Sequence, residues 1–239
     1  MKHYRTLLFD VDDTLLDFQA AEVFALRSLF EEQNIPLTLD IEARYKQINQ
    51  GLWRSFEEGK IKRDEIVGTR FSLLFKEYGQ SVDGLALGMK YRSYLKEGHQ
   101  LISGAIELIE DLKNKYDLYI VTNGVAETQD KRLRDSGLFP LFKDIFVSED
   151  TGFQKPMKEF FDYVFARIPD ISLEETLIIG DSLTSDIKGG ELAGIDTCWF
   201  NPKTKPNQTE ITPTYQIQKL EELYHILNIE RESETVSQH

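Results

Sequence analysis

The sequence predicts an α/β protein: a doubly wound parallel sheet with a Rossmann-like core and an inserted α-helical cap. Three observations predict it. Short apolar runs at Thr6–Phe9, Leu118–Val121, Ile145–Val147, Leu177–Ile179 and Thr197–Phe200 have the length and continuity of strands buried on both faces. From about residue 100 these runs alternate with helical patterns, as strands joined by helical crossovers do. Between the first run and the second lies a long stretch, 17–98, with helical periodicity and no convincing strand.

In order, Thr6–Phe9 leads directly into Asp10, Asp12 and Asp13. Asp17 is the expected N-cap of a helix running to about Gln33, stopped by Asn34 and Pro36. A second helix follows Asp40, with Ile41, Tyr45, Ile48, Leu52 and Phe56 on one stripe and Gly59 at its end. A third begins near Asp64 and ends at Gly79; a fourth spans about Asp83 to Lys96 and ends at Gly98. Their aromatic stripes, Trp53 and Phe56 included, are expected in the core, the default for residues at helical spacing. Four amphipathic helices in succession suggest a small bundle inserted early in the chain.

Gly104–Lys115 reads as a helix before the second strand, which breaks off at Thr122-Asn123-Gly124. Helices are expected over Ala126–Ser136, Met157–Ile168 and Asp186–Ala193, with a polar loop before Lys155-Pro156. Tyr215–Ile217 is a possible last strand, and Glu221–Leu227 closes the fold. The expected division is therefore a core of 1–16 and 99–229, a helical insertion of 17–98, and a disordered polar tail from Glu230 to His239.

Composition narrows the function classes. At 239 residues, 41% hydrophobic and 29% charged, the chain suits an ordinary soluble globular protein. Its net charge of -13 argues against nucleic-acid or anionic-membrane partners, and no apolar run has transmembrane length. The single cysteine, Cys198, excludes an intrachain disulfide framework and points to the cytoplasm. It sits in the apolar run Cys198-Trp199-Phe200, the setting of a structural thiol rather than a nucleophile.

Four strand ends carry polar groups: Asp10 with Asp12, Thr122 with Asn123, the loop bearing Lys155, and Asp181, with Asp186 shortly after. In an open parallel sheet these ends lie along one edge, where ligands bind. Taken singly, Asp13, Thr122, Asn123, Asp181 or Ser182 could be no more than helix caps. Together, a hydroxyl, an amide, an ammonium and several acids describe a phosphate-and-magnesium site. Carboxylates suit Mg²⁺, which takes a few of them and completes its shell with water and phosphate. Zinc is disfavoured, because the four histidines show no ligand spacing.

These motifs resemble those of the haloacid dehalogenase-like phosphatase superfamily, all four in order: Asp10-Val-Asp12-Asp-Thr14, Thr122-Asn123-Gly124, Lys155-Pro156, and Gly180-Asp181 through Asp186. The helical insertion resembles that family's cap. The resemblance implies that Asp10 is a nucleophile forming an aspartyl-phosphate and that Asp12 is the general acid and base. Thr122, Asn123 and Lys155 would bind phosphate. Asp10, Asp12 (through its backbone carbonyl) and Asp181 would hold Mg²⁺, with Asp186 acting through a metal-bound water or by orienting Lys155. A carboxylate approaching a phosphate is repelled by about 4 kcal/mol per charge pair at roughly 4 Å and an effective dielectric of 20. Mg²⁺ and Lys155 would reverse that sign. As an acid toward the leaving group, Asp12 would need a raised pKa in the loaded site.

The stretch Val147–Pro156 and the following Lys158–Tyr163 look most like the pyrimidine 5′-nucleotidase branch. Lys158 stands where the sugar-phosphate members have a second proline. The expected activity is therefore hydrolysis of nucleoside 5′-monophosphates, a small-molecule phosphomonoester substrate. The alternatives are a sugar-phosphate phosphatase or phosphomutase and, less well supported, a non-catalytic phosphate-binding module. A hydrolytic dehalogenase has no use for Asp12 or Asp181, and a receiver domain lacks the inserted helices.

Overall fold

A computed structural model describes residues 2–229; the predicted tail from Glu230 to His239 lies outside the described residues. Strand β1 (Thr6–Phe9) is followed by four helices, α1 (Phe18–Glu32), α2 (Leu39–Glu57), α3 (Arg63–Glu77) and α4 (Gly84–Leu95). Then come α5 (Ala105–Leu112), β2 (Asp117–Thr122), α6 (Ala126–Asp135), β3 (Asp144–Val147), α7 (Ser148–Thr151) and α8 (Lys158–Phe165). β4 (Thr176–Gly180), α9 (Lys188–Ala193), β5 (Asp196–Phe200), β6 (Tyr215–Ile217) and α10 (Leu223–Ile226) complete the chain.

The six strands form one parallel sheet in the order β3-β2-β1-β4-β5-β6. β1 is central. Phe9 lies level with Ile120 of β2 and Ile179 of β4, so the residues that follow all three strands emerge together at the carboxyl edge. Alternation along β1 sends Leu7 and Phe9 to a core shared with α5 and α10, and Leu8 to a second core with Phe160, Phe161 and Val164 of α8. Burial on both faces is what the unbroken apolar runs require.

Asp17 and Asp83 cap α1 and α4 as their positions suggest, accepting from the amides of Ala20 (2.9 Å) and Ala86 (3.0 Å). The second helix starts just before Asp40 rather than after it: Thr38 is its cap and Leu39 its first residue. The four helices share their own core, centred on Leu29, Tyr45, Phe71, Leu74 and Tyr91. Gly88 lets α4 pack directly against the backbone of α3. A Cβ there would sit 2.1 Å from the carbonyl oxygen of Val67.

Three expectations are corrected. Trp53 is outside that core and lines a cavity instead. The polar stretch before Lys155 contains a one-turn helix, α7. Asp186 does not start a regular helix. It lies in a wide turn, Leu183–Ile187, where the amides of Asp186 and Ile187 both reach the carbonyl of Ser182 (3.0 and 3.1 Å). Such widened turns let a side chain project where regular winding would turn it away.

Gly88→Ala is expected to force α4 away from α3, a loss of about 1–3 kcal/mol typical of overpacking. At this chain length that is a fall in Tm of several degrees, read by thermal denaturation.

Candidate active site

The site is built around a buried ammonium. The Lys155 Nζ donates to Asp10 Oδ1 (2.7 Å), to Asp186 Oδ1 (2.6 Å) and to the carbonyl of Val121 (2.7 Å). These are its three hydrogens, so the lysine is fully engaged, and it is 1% exposed. The turn bearing it is held by Asn123, whose amide accepts from the Lys155 backbone N–H and donates to the Lys155 carbonyl, both at 2.9 Å. The end of β2 thereby sets the position of a residue far along the chain.

Asp186 reaches the lysine because Gly180 has no side chain. A Cβ at Gly180 would lie 2.2 Å from Asp186 Oδ2. That same oxygen accepts from the Ser182 amide at 3.1 Å. Thr14 donates to Asp10 Oδ2 at 3.3 Å, and Asp13 accepts from the backbone and side-chain nitrogens of Gln19. Thr122 Oγ1 accepts from Gly124 N–H and Gln129 Nε2, which leaves its own hydroxyl proton to donate.

Asp10, Asp181 and Asp186 each place a carboxylate oxygen within 4.8 Å of the others. Lys155 pairs with two of these three acids. Burial, with the Asp186 and Asp12 charges, pushes the Asp10 carboxyl up to about 7 against the pull of Lys155. Burial and the charges of Asp10 and Asp186 hold the Asp181 carboxyl well above the carboxylate range. Burial opposes the charge on Lys155, but Asp10 and Asp186 outweigh it and hold the ammonium above its ordinary value. A set of crowded hard oxygen donors with too little positive charge fits a divalent cation such as Mg²⁺.

Asp12 is placed differently. Its carboxylate lies outside that triad and is held by Gln129 Nε2 (2.9 Å) and by the buried guanidinium of Arg132. Arg132 is anchored in turn by the Gly98 carbonyl (2.6 Å) and by Gln129 Oε1 (3.0 Å). Neither Gln129 nor Arg132 stood out in the sequence, because α6 reads as a polar surface helix. Their three-residue spacing, which puts them on one face, was the available signal.

These groups open onto a cavity of about 290 Å³ between the sheet edge and α2, α3 and α4. Its far wall carries Phe18, Trp53, Ile66, Arg63, Arg70 and Arg92. Glu57 closes one side, accepting from Thr184 at 2.9 Å; burial pushes its carboxyl up to about 7.

The model of the haloacid dehalogenase-like hydrolases matches residues 4–194, across all of these strand ends. The chain belongs to the haloacid dehalogenase-like hydrolase family. This hydrolase is 74% identical over 230 residues to the HAD-hydrolase YfnB of Bacillus subtilis (strain 168), covering 96% of this chain and 98% of that one. It is 44% identical over 226 residues to the pyrimidine 5′-nucleotidase PynA of Streptococcus pneumoniae (94% and 95% covered). A magnesium-bound crystal structure of YfnB matches its fold with a TM-score of 0.92 over 95% of this chain and 100% of that one. Among the described residues of the hydrolase, no helix is long and apolar enough to cross a membrane.

Removing the ammonium should expose the carboxylate crowding. Lys155→Met leaves Asp10 and Asp186 buried without their cation, a loss of about 3–5 kcal/mol where both are ionised. With the pull of the ammonium gone, burial favours the protonated form of Asp10 still more in the folded state, so the deficit is largest above pH 7 and shrinks as the pH falls toward 5. Thermal melts of the metal-free proteins across that range check the sign.

Proposed function

We propose that this hydrolase is a Mg²⁺-dependent phosphomonoesterase that acts through an aspartyl-phosphate on Asp10, with nucleoside 5′-monophosphates as substrates. The observation that carries the chemistry is the ammonium of Lys155 between Asp10 and Asp186, facing a cavity whose acids outnumber their cations. Relatedness to a pyrimidine 5′-nucleotidase over nearly the whole chain supports the substrate class.

Asp10 would attack phosphorus, forming the carboxylate–phosphorus bond as the bond to the ester oxygen breaks. Asp12 would give its proton to the departing alkoxide, then take one from the water that cleaves the aspartyl-phosphate. Gln129 and Arg132, which hold the Asp12 carboxylate, would orient it for these transfers. Lys155 offsets the charge of the nucleophile and keeps Asp10 oriented. Thr122 has a hydroxyl proton available to a phosphate oxygen, while the Asn123 side chain serves through Lys155. Asp10, Asp181 and Asp186 would hold Mg²⁺, with the Asp12 carbonyl as a further ligand. When bound, the ion would neutralise the phosphate and the crowded acids. The helices of 17–98 would act as a cap over this site.

A sugar-phosphate phosphatase is the second reading, since the chemistry at Asp10 is indifferent to the leaving group. A dehalogenase is disfavoured: a departing halide needs no proton, which leaves Asp12 and its Arg132 support without a task.

Phosphate release from dUMP and dTMP should exceed that from hexose phosphates, and EDTA should abolish it until Mg²⁺ is restored. Asp10→Asn should remove activity by several orders of magnitude with the fold intact by circular dichroism. Turnover that survives Asp10→Asn, or release indifferent to metal, refutes the mechanism.

A further inference from the structure

The cavity wall opposite Asp10 is rich in arginine, in a chain whose net charge is -13. α3 presents Arg63, Ile66, Val67 and Arg70 to it, spacings that keep all four on one helical face. α4 adds Arg92 and Leu95, and the close approach at Gly88, one turn before Arg92, brings the two helices' arginines to a shared wall. Arg63 and Arg92 are near enough for the charge of one to oppose that of the other.

These guanidiniums are incompletely satisfied. Nε of Arg63, Nε of Arg92, and Nε and Nη2 of Arg70 are buried with no hydrogen-bond acceptor among the described residues. Arg70 is 4% exposed and lies 4.4 Å over the Tyr91 ring. Arg63 has Ser148 and, at 4.0 Å, Glu149; Arg92 has no ion-pair partner among the described residues. Buried donors without acceptors are destabilising, so internal pairing does not saturate these guanidiniums, and the parts of them that line the cavity remain open to acceptors of a ligand.

The surroundings define the ligand's shape. Between the arginines the wall is apolar (Ile66, Val67, Leu95), and Phe18 and Trp53 stand beside it. Guanidiniums donate and never accept. The wall therefore suits a flat group with acceptor oxygens on its rim. We propose that Arg63 and Arg92 set specificity by donating hydrogen bonds to the keto oxygens of a pyrimidine base whose 5′-phosphate lies at Asp10. This rests on the nucleotide reading above. A bare sugar phosphate would supply no acceptors to the free donors of Arg63 and Arg92, so the same residues select against it.

The test compares dUMP with 2-deoxyribose 5-phosphate, which keeps the sugar and phosphate and lacks the base. Steady-state kinetics are measured on the full-length Mg²⁺-loaded enzyme, on Arg92→Gln and on Arg63→Gln. The ratio of kcat/KM for dUMP to that for 2-deoxyribose 5-phosphate is expected to exceed one in the wild type. It should fall at least tenfold in each variant, chiefly through the KM for dUMP. Variants damaged only in folding lose both substrates alike; a ratio unchanged in both variants overturns the arginine assignment while the nucleotide reading stands. A wild type that does not prefer dUMP overturns both.

Discussion

The buried Lys155 ammonium is the interaction on which the site depends. It joins the ends of three strands: Asp10 after β1, Val121 in β2, and Asp186 in the turn after β4. A lysine at 1% exposure is tolerated only because each of its hydrogens meets an acceptor, two of them charged. The supports around it follow from that demand. Asn123 clamps the lysine's backbone, Gly180 leaves room for Asp186, and the wide turn after β4 aims the Asp186 carboxylate inward.

The same arrangement leaves the centre short of positive charge. The carboxylates of Asp10, Asp181 and Asp186 crowd together while Lys155 pairs with only two of them, and burial raises the cost of ionising Asp10 and Asp181. A structure tuned for stability alone would pair or remove them. Crowded hard oxygen donors at the mouth of a cavity fit a divalent cation.

Asp10 and Asp12, two residues apart, face different neighbours. Asp10 lies with the ammonium and the other acids, whereas Asp12 meets Gln129 and Arg132. Division of labour between carboxylates comes from such differences in surroundings. The arginines of α3 and α4 extend the contrast across the cavity: acids at the sheet edge, donors on the helical wall. That polarity would orient a substrate end to end.

The sequence by itself determined the sheet, the helices and the strand-end residues. Each of these is written locally, in apolar runs, caps and turns, so the strands and most helices are displaced by only a few residues. Asp10, Lys155, Asp181 and Asp186 were legible because motifs at strand ends must converge once the sheet is parallel. Tertiary structure decided the rest. Arg132 and Gln129 lie in a helix with polar composition, and only packing shows that they turn inward to Asp12. Trp53 looked like core because periodicity reports a buried stripe without saying whether a neighbour or a cavity covers it. The sequence does not single out the arginines of α3 and α4. Only packing shows that they line one cavity, because the approach of α3 and α4 at Gly88 is set by contacts between segments and absent from either segment alone.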